Sequence, residues 1–179
     1  MATVSLSLDE IYKLANKTLL ANGCDQETAD ILSELITNAE RDGSLSHGLF
    51  RLPAYVSGLK SGKINGKQKP DIKKLTPSVI KADGKNCLAP VVLNKSIPEL
   101  VKAAKENGVA VLAIINSHHM AAMWPETEKI AEEGLVAFAC TSYKPAVAPA
   151  GAIKPLFGTN PISFAWPRKN NTPVVYDMA

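Results

Sequence analysis

Two short apolar runs, VAVLAII at 109–115 and LVAFACT at 135–141, flank a helix-forming stretch at about 125–133 that Gly134 ends. Apolar runs of this length, bounded by turn residues and alternating with amphipathic helices, are the grammar of an α/β domain, with both runs read as buried strands. A strand at 79–82 and a helical stretch at about 98–106 come before them. ISFAW and VVYDM follow as further strands, each introduced by a proline. With 46% hydrophobic and 21% charged residues, the chain has enough apolar material for one domain or two small ones.

The N-terminal part has helical periodicity instead. Ser7 and Glu10 form a capping box, after which Ile11, Leu14, Ala15 and Leu19 recur at helical spacing until Gly23. Asp25 caps a second helix carrying Ala29, Leu32, Leu35, Ile36 and Ala39 up to the Asp42-Gly43 break. A third helix begins around Phe50, because Pro53 is tolerated in a first turn but not deep inside a helix, and Ser46 and His47 lie at its entrance. Residues 60–74, rich in Lys, Gly, Asn and Pro, read as a surface connection. The expected organisation is an N-terminal helical segment, 1–70, followed by the first part of a mixed-sheet α/β domain, 71–179.

The net charge of +3 comes from scattered lysines interrupted by acids, so neither a nucleic-acid patch nor a membrane-binding patch is expected. Asp9 and Glu10 interrupt the place where a secretory leader needs an apolar core, and a cytoplasmic protein is expected. Cys24, Cys87 and Cys140 are odd in number and lack CxxC spacing, which argues for ordinary buried thiols rather than disulfides or a zinc site.

The sequence has no G-x-G-x-x-G and no G-x-x-x-x-G-K-[ST], so a Rossmann or P-loop fold starts at a disadvantage. Its histidines fall in two segments. In S-H-G-L-F-R, His47 and Arg51 are four residues apart, and on a helix they share a face. A guanidinium gripping a carboxylate beside an imidazole that exchanges a proton suits a carboxylate substrate. The alternative is a surface helix start with Ser46 as the cap. The second segment, N-S-H-H-M, follows a strand, and α/β sheets place ligands at the carboxyl ends of strands. Adjacent histidines on a strand point to opposite sides, which argues against a shared metal, and one of the two can equally be structural. The segment from Pro145 to Pro161 holds four prolines and two glycines in seventeen residues and reads as a rigid, buried loop. Its Gly158, Thr159 and Asn160 offer approachable backbone and short polar side chains for a planar ligand or a phosphate, or else tie two strands together.

In this order, S-H-G-x-x-R-L-P-x-Y, N-S-x-H, P-x-V-A-P-x-G, L-F-G-T-N-P-I-S-F-A-x-P and P-V-V-Y-D-M-A resemble the type-2 malate/L-lactate dehydrogenase family along essentially the whole chain. The resemblance implies a non-Rossmann nicotinamide-dinucleotide-binding domain and reduction of 2-oxo acids or cyclic 2-imino acids with NADH or NADPH. It implies that His47 is an acid/base residue supported by Ser46, that Arg51 binds the substrate carboxylate, and that His119 is a second active-site histidine at the cofactor. Gly158, Thr159 and Asn160 then belong to the cofactor and substrate cleft, and Asp177, Met178 and Ala179 to the segment contacting the dinucleotide. T-S-Y-K-P-A-V-A-P is similar to the piperideine/pyrroline-2-carboxylate reductase branch, with Lys144 as a local signature.

Met120 and Ala121 stand where the family has an aromatic residue and a glycine, and Ala152 where a second glycine is common; these departures bear on pocket shape. Family members extend well beyond D-M-A. The expected partners are a small carboxylate substrate and a second copy in a homodimer, with a second chain carrying the remaining half as a further possibility. The alternative is a catalytically inactive half-protein that needs such a chain to complete its sheet; on this expectation the 179 residues alone are inactive and poorly stable.

Overall fold

In the computed structural model, which describes residues 4–118 and 120–179, Ser7 and Glu10 exchange both capping-box hydrogen bonds at the start of helix α1, Leu8–Ala21. Asp25 accepts the Thr28 N–H at 2.9 Å and caps α2, Gln26–Arg41. Ile11, Ala15 and Leu19 of α1 pack with Ala29, Leu32 and Ile36 of α2, as the periodicity predicts. Leu14 is a correction: it lies on the outer side of α1, 48% exposed. The third helix, α3 (Leu52–Lys60), starts later than expected, with Pro53 in its first turn.

The first sheet has the order β1-β2-β3, from Asp71–Thr76, Val79–Asp83 and Val111–Ile115. It is mixed: β1 runs antiparallel to β2, and β2 parallel to β3. β1 forms within the expected connection and end of it, where the sequence shows little apolar periodicity. Helix α4, Ala89–Asn107, joins β2 to β3 and carries Pro98 in its interior rather than beginning there. An interior proline costs about 3 kcal/mol. Val91, Val92, Ile97 and Val101 are buried on both sides of it, and at about 1.5–3 kcal/mol per buried side chain they outweigh that cost. β3 is not the fully buried strand expected: Leu112 and Ile114 pack toward Ala82, Cys87 and Val92, whereas Val111 is 55% exposed.

The chain divides into two compact units, one ending at Ala121 and the other Ala122–Ala179. The shift in composition near residue 70 does not separate them, because Leu88 and Val91 lie in the same core as Ile11, Leu32 and Tyr55. In the second unit, α5 (Trp124–Glu132) covers one face of an antiparallel sheet ordered β4-β5-β6, from Ala137–Cys140, Ile162–Arg168 and Asn171–Met178. Ala137, Ala165 and Val175 share the covered face in register, packed with Ile130 and Ala131 of α5. The opposite face carries Phe138, Phe164 and Tyr176 in one row and Trp166 with Val174 in the next. Phe138, expected in a buried strand, is therefore 63% exposed, and Cys140, expected to be buried, is exposed too. Among the described residues, no helix is long and apolar enough to cross a membrane.

Candidate active site

The chain leaves α2 through Gly43, whose φ of +74° is a left-handed conformation that glycine adopts without a side-chain clash. It then forms two single 3-10 turns, Leu45–His47 and Leu49–Arg51, before α3 begins. His47 and Arg51 are thus not on one helical face. Gly48, at ψ −137°, breaks the rotation between them, and their relative placement is set by the loop rather than by a 3.6-residue period.

Ser46 Oγ lies 3.0 Å and Ser44 Oγ 3.3 Å from His47 Nδ1. Two hydroxyls on the same ring nitrogen fix the imidazole's rotation, and either can donate or accept according to the tautomer. Ser46, which the resemblance assigns to the support of His47, is thus in hydrogen-bond reach of its ring, and so is Ser44, which lies outside the motif. Arg51 is half-buried, and its Nε is buried with no hydrogen-bond partner among the described residues. One turn further along α3, the hydroxyl of the fully buried Tyr55 is likewise unpartnered. Burial pushes the Tyr55 phenol up to about 12, against the opposing pull of the Arg51 charge. A buried donor left unsatisfied costs about 1–3 kcal/mol, so an acceptor brought to Arg51 and Tyr55 gains more than one exchanging hydrogen bonds with water.

The N-S-H segment follows β3 as expected, and the structure shows what holds it. Asn116 turns the chain with φ +51° and accepts the Asn86 N–H at 2.8 Å, while its Nδ2 donates to Asp83 at 3.1 Å. His118 N–H donates to Cys87 O at 3.1 Å, and His118 O accepts the Ala89 N–H at 2.9 Å. Gly84 sits so close that a Cβ there would lie 2.9 Å from Asn116 O. The carboxyl ends of the parallel strands β2 and β3 are thereby laced into one rigid corner, with His118 as its backbone link. His119, the histidine of N-S-x-H singled out above, lies outside the described residues.

In the second unit, the proline-rich segment is ordered by hydrogen bonds rather than by burial. Val147 and Phe157 bridge with bonds of 2.8 and 3.0 Å. The segment is largely exposed, Ile153 almost completely at 96%, which corrects the expectation of a buried loop. Asn160, at φ +46°, accepts the Tyr143 N–H at 3.0 Å through Oδ1. Gly158 must be glycine, because a Cβ would fall 2.2 Å from the Tyr143 carbonyl oxygen. The Asn160 acceptor thus ties the loop, and Thr159 stands exposed beside it. The hydroxyl of Thr159 and the side-chain amide of Asn160 fit hydrogen bonding to the ribose or phosphate oxygens of a dinucleotide.

Asp177 has a structural task that the sequence does not announce. Its Oδ2 accepts the Met123 N–H at 2.8 Å and the Trp124 N–H at 3.0 Å, capping α5. Ser163, which pairs with Asp177 across β5 and β6, is fully buried and meets Thr127 Oγ1 at 2.7 Å. Met178 pairs with Ile162 on the opposite face of the sheet, so it and Asp177 point apart, and Ala179 follows the end of β6 exposed. Lys144 is exposed, its Nζ 5.8 Å from the centre of the Tyr143 ring. Sequence reasoning missed Glu40, whose carboxylate accepts the Leu49 N–H at 2.7 Å, since nothing local links residues nine apart in a turn.

A family model described as malate/L-lactate dehydrogenase matches residues 6–179. The chain is 41% identical over 177 residues to a delta(1)-pyrroline-2-carboxylate/delta(1)-piperideine-2-carboxylate reductase of Pseudomonas syringae pv. tomato, covering 99% of this chain and 52% of the relative. It is 37% identical to a (2R)-3-sulfolactate dehydrogenase (NADP(+)) of Chromohalobacter salexigens, covering 97% and 52%. Among solved structures, delta1-piperideine-2-carboxylate reductase from Pseudomonas syringae superposes with a TM-score of 0.93 at 41% identity, over 99% of this chain and 53% of that one. Malate dehydrogenase from Pyrococcus horikoshii OT3 gives 0.91 at 32% identity, over 98% and 50%. The chain spans about half the length of the curated relatives it matches.

Proposed function

The chain belongs to the malate/L-lactate dehydrogenase family, and from that membership we propose that the protein reduces a cyclic 2-imino carboxylate, or a 2-oxo acid, with NADH or NADPH. The observation that carries the reading is the buried Nε of Arg51, without a partner among the described residues, in the loop where Ser44 and Ser46 hold His47. A carboxylate is the acceptor that a guanidinium donor satisfies best, through charge-assisted and geometrically paired bonds. In this assignment Arg51 binds and orients the substrate carboxylate. His47, its ring fixed by Ser46, holds the proton exchanged with the reacting nitrogen or oxygen, and His119 is assigned the second acid/base position.

When bound, the nicotinamide supplies the hydride. Gly158, Thr159 and Asn160 are assigned to the dinucleotide, together with His119, Asp177, Met178 and Ala179. The loop's own ties support the first three, because a backbone fixed by Tyr143 and Val147 presents its exposed polar groups without further ordering cost. The imino-acid preference is supported by the curated relatives described as pyrroline-2-carboxylate reductases, at 34–42% identity, and by the T-S-Y-K-P-A-V-A-P segment.

The test is a substrate panel: 1-pyrroline-2-carboxylate, 1-piperideine-2-carboxylate, pyruvate and oxaloacetate, each with NADH and with NADPH. The cyclic imines are expected to exceed the oxo acids by at least about tenfold in kcat/KM, equivalent to ~1.4 kcal/mol of transition-state binding. A preference for oxaloacetate or pyruvate moves the protein to the malate or lactate branch. Turnover of none of the four overturns the reading.

A further inference from the structure

The loop that carries His47 and Arg51 is anchored at two points to the end of α2. Ser44 N–H donates to Ala39 O at 2.8 Å. Five residues later, Leu49 N–H donates to Glu40 Oε1 at 2.7 Å. The second anchor falls between the two 3-10 turns, where Gly48 breaks the helical rotation. The sequence leaves room for it. A Cβ on residue 48 would lie 2.2 Å from Glu40 Oε1, 2.6 Å from its Cδ and 2.7 Å from its Cγ, so the carboxylate occupies the space that any other residue's side chain would need. Gly48 leaves room for this carboxylate, and the Leu49 N–H that the carboxylate accepts holds it there.

The geometry of the loop gives that bond leverage. Gly48 O, in the same peptide as the Leu49 N–H, accepts the Arg51 N–H at 2.9 Å, so a rotation of that peptide carries the second turn with it. Gly48 N–H, in the preceding peptide, donates to Leu45 O at 3.3 Å and closes the first turn, so the rotation changes the angle between the two turns. His47 precedes that peptide directly and Arg51 closes the turn after it. A carboxylate is a strong acceptor, and the bond it makes restrains a peptide next to glycine, whose backbone is otherwise the freest.

We infer that Glu40 is a positioning residue: its carboxylate, received in the space left by Gly48, fixes the Gly48-Leu49 peptide and so sets His47 and Arg51 in the relative placement that substrate binding and proton exchange require. The inference rests on the functional reading above, since it gives His47 and Arg51 a shared task.

The test compares Glu40→Ala, Glu40→Gln and Gly48→Ala with the wild type in the intact protein, by steady-state kinetics on the panel substrate turned over best and by hydrogen exchange at the Leu49 amide. Glu40→Ala is expected to lower kcat/KM for the carboxylate substrate by on the order of 100-fold, the effect of a displacement of about 1 Å at a reacting group, with the KM for the nicotinamide cofactor unchanged. Leu49 exchange should accelerate by at least about tenfold as the local closure is lost. Glu40→Gln should restore both readouts to within a few-fold (roughly 3–5), because its amide oxygen accepts the same N–H. Gly48→Ala, which evicts the carboxylate without removing it, should reproduce the Ala phenotype if Glu40→Ala proves too unstable to assay. A purely structural Glu40 would lower the yield or melting temperature while leaving kcat/KM per folded molecule at the wild-type value, and that result overturns the inference. So does slow Leu49 exchange in Glu40→Ala, or a Gln variant no better than Ala. A wild type inactive on the whole panel overturns the functional reading instead, and the Leu49 exchange still reports whether the clamp exists.

Discussion

Arg51 combines two facts that seldom coincide, a permanent charge and a buried Nε–H with no partner among the described residues. Lysine keeps the charge but presents a point of donors rather than a planar fork. Arg51→Lys is therefore expected to raise the KM for the carboxylate substrate by roughly 10- to 100-fold, the effect of one or two charge-assisted hydrogen bonds, and to leave cofactor affinity within about twofold. Titration of the protein with NADPH or NADH, alongside substrate kinetics, separates the two; equal losses in both would remove Arg51 from the substrate clamp. At this scale the sequence is informative about chemistry and poor at geometry. S-H-G-L-F-R identifies an imidazole and a guanidinium, yet their helical spacing is realised as two separate turns, because a Glu40 carboxylate nine residues upstream of Leu49 decides where the chain bends.

Helix α5 depends on a residue outside itself. Its first turn lacks a capping side chain, Met123 standing at the N-cap, and Asp177 from β6 supplies the acceptor for the Met123 and Trp124 N–H groups. Its negative charge also lies at the positive end of the helix dipole. Asp177→Ala should therefore destabilise the unit Ala122–Ala179 by about 1–2 kcal/mol, in the range of a lost N-cap, whereas Asp177→Asn keeps an acceptor and should lose only roughly 0.3–1 kcal/mol. Urea unfolding followed by Trp124 and Trp166 fluorescence checks this. An Ala variant as stable as the wild type would show that α5 is held by its packing alone. The element scale also shows what periodicity conveys. It located α1 and α2, whose buried faces recur at helical spacing, while the Gly134 stop marked the end of α5. It missed β1, whose largely exposed DIKKLT is a strand because β2 pairs with it and Ile72 packs beside Ala82, and it placed the start of α4 at Pro98 instead of Ala89. Proline's local cost was visible in the sequence; the flanking burial that overrides it was not.

Over the molecule as a whole, stability should fall under alkaline conditions, and the groups responsible lie in one core. Burial pushes the Tyr55 phenol from its ordinary 10.0 up to about 12, and the Cys24 thiol from 9.0 up to about 11, with the Asp25 charge adding to the latter. In the unfolded chain both groups release their protons near the ordinary values, while the folded chain retains them. The unfolded state is then favoured progressively as pH rises through 9 and 10 toward the folded values. Tyr55→Phe should remove the tyrosine's share, gaining roughly 1 kcal/mol more over the wild type at pH 10.5 than at pH 7, as linkage requires. Denaturant titrations at the two pH values, with reductant present, measure it; parallel curves would mean that Tyr55 ionises as freely folded as unfolded. The α/β class, the paired N-terminal helices with their caps, and the family motifs with the residue types they bring could therefore be read from the chain directly, since all of these follow from local periodicity, capping chemistry and ordered short patterns. It took the folded arrangement to reveal that Leu88 and Val91 join the helical segment's core, that Phe138 faces outward, that Asp177 caps α5, and that Glu40 fills the space left by Gly48. Each of these depends on groups distant in the chain, and such pairings are selected by packing and by the need to satisfy buried polar atoms, neither of which leaves a local signal.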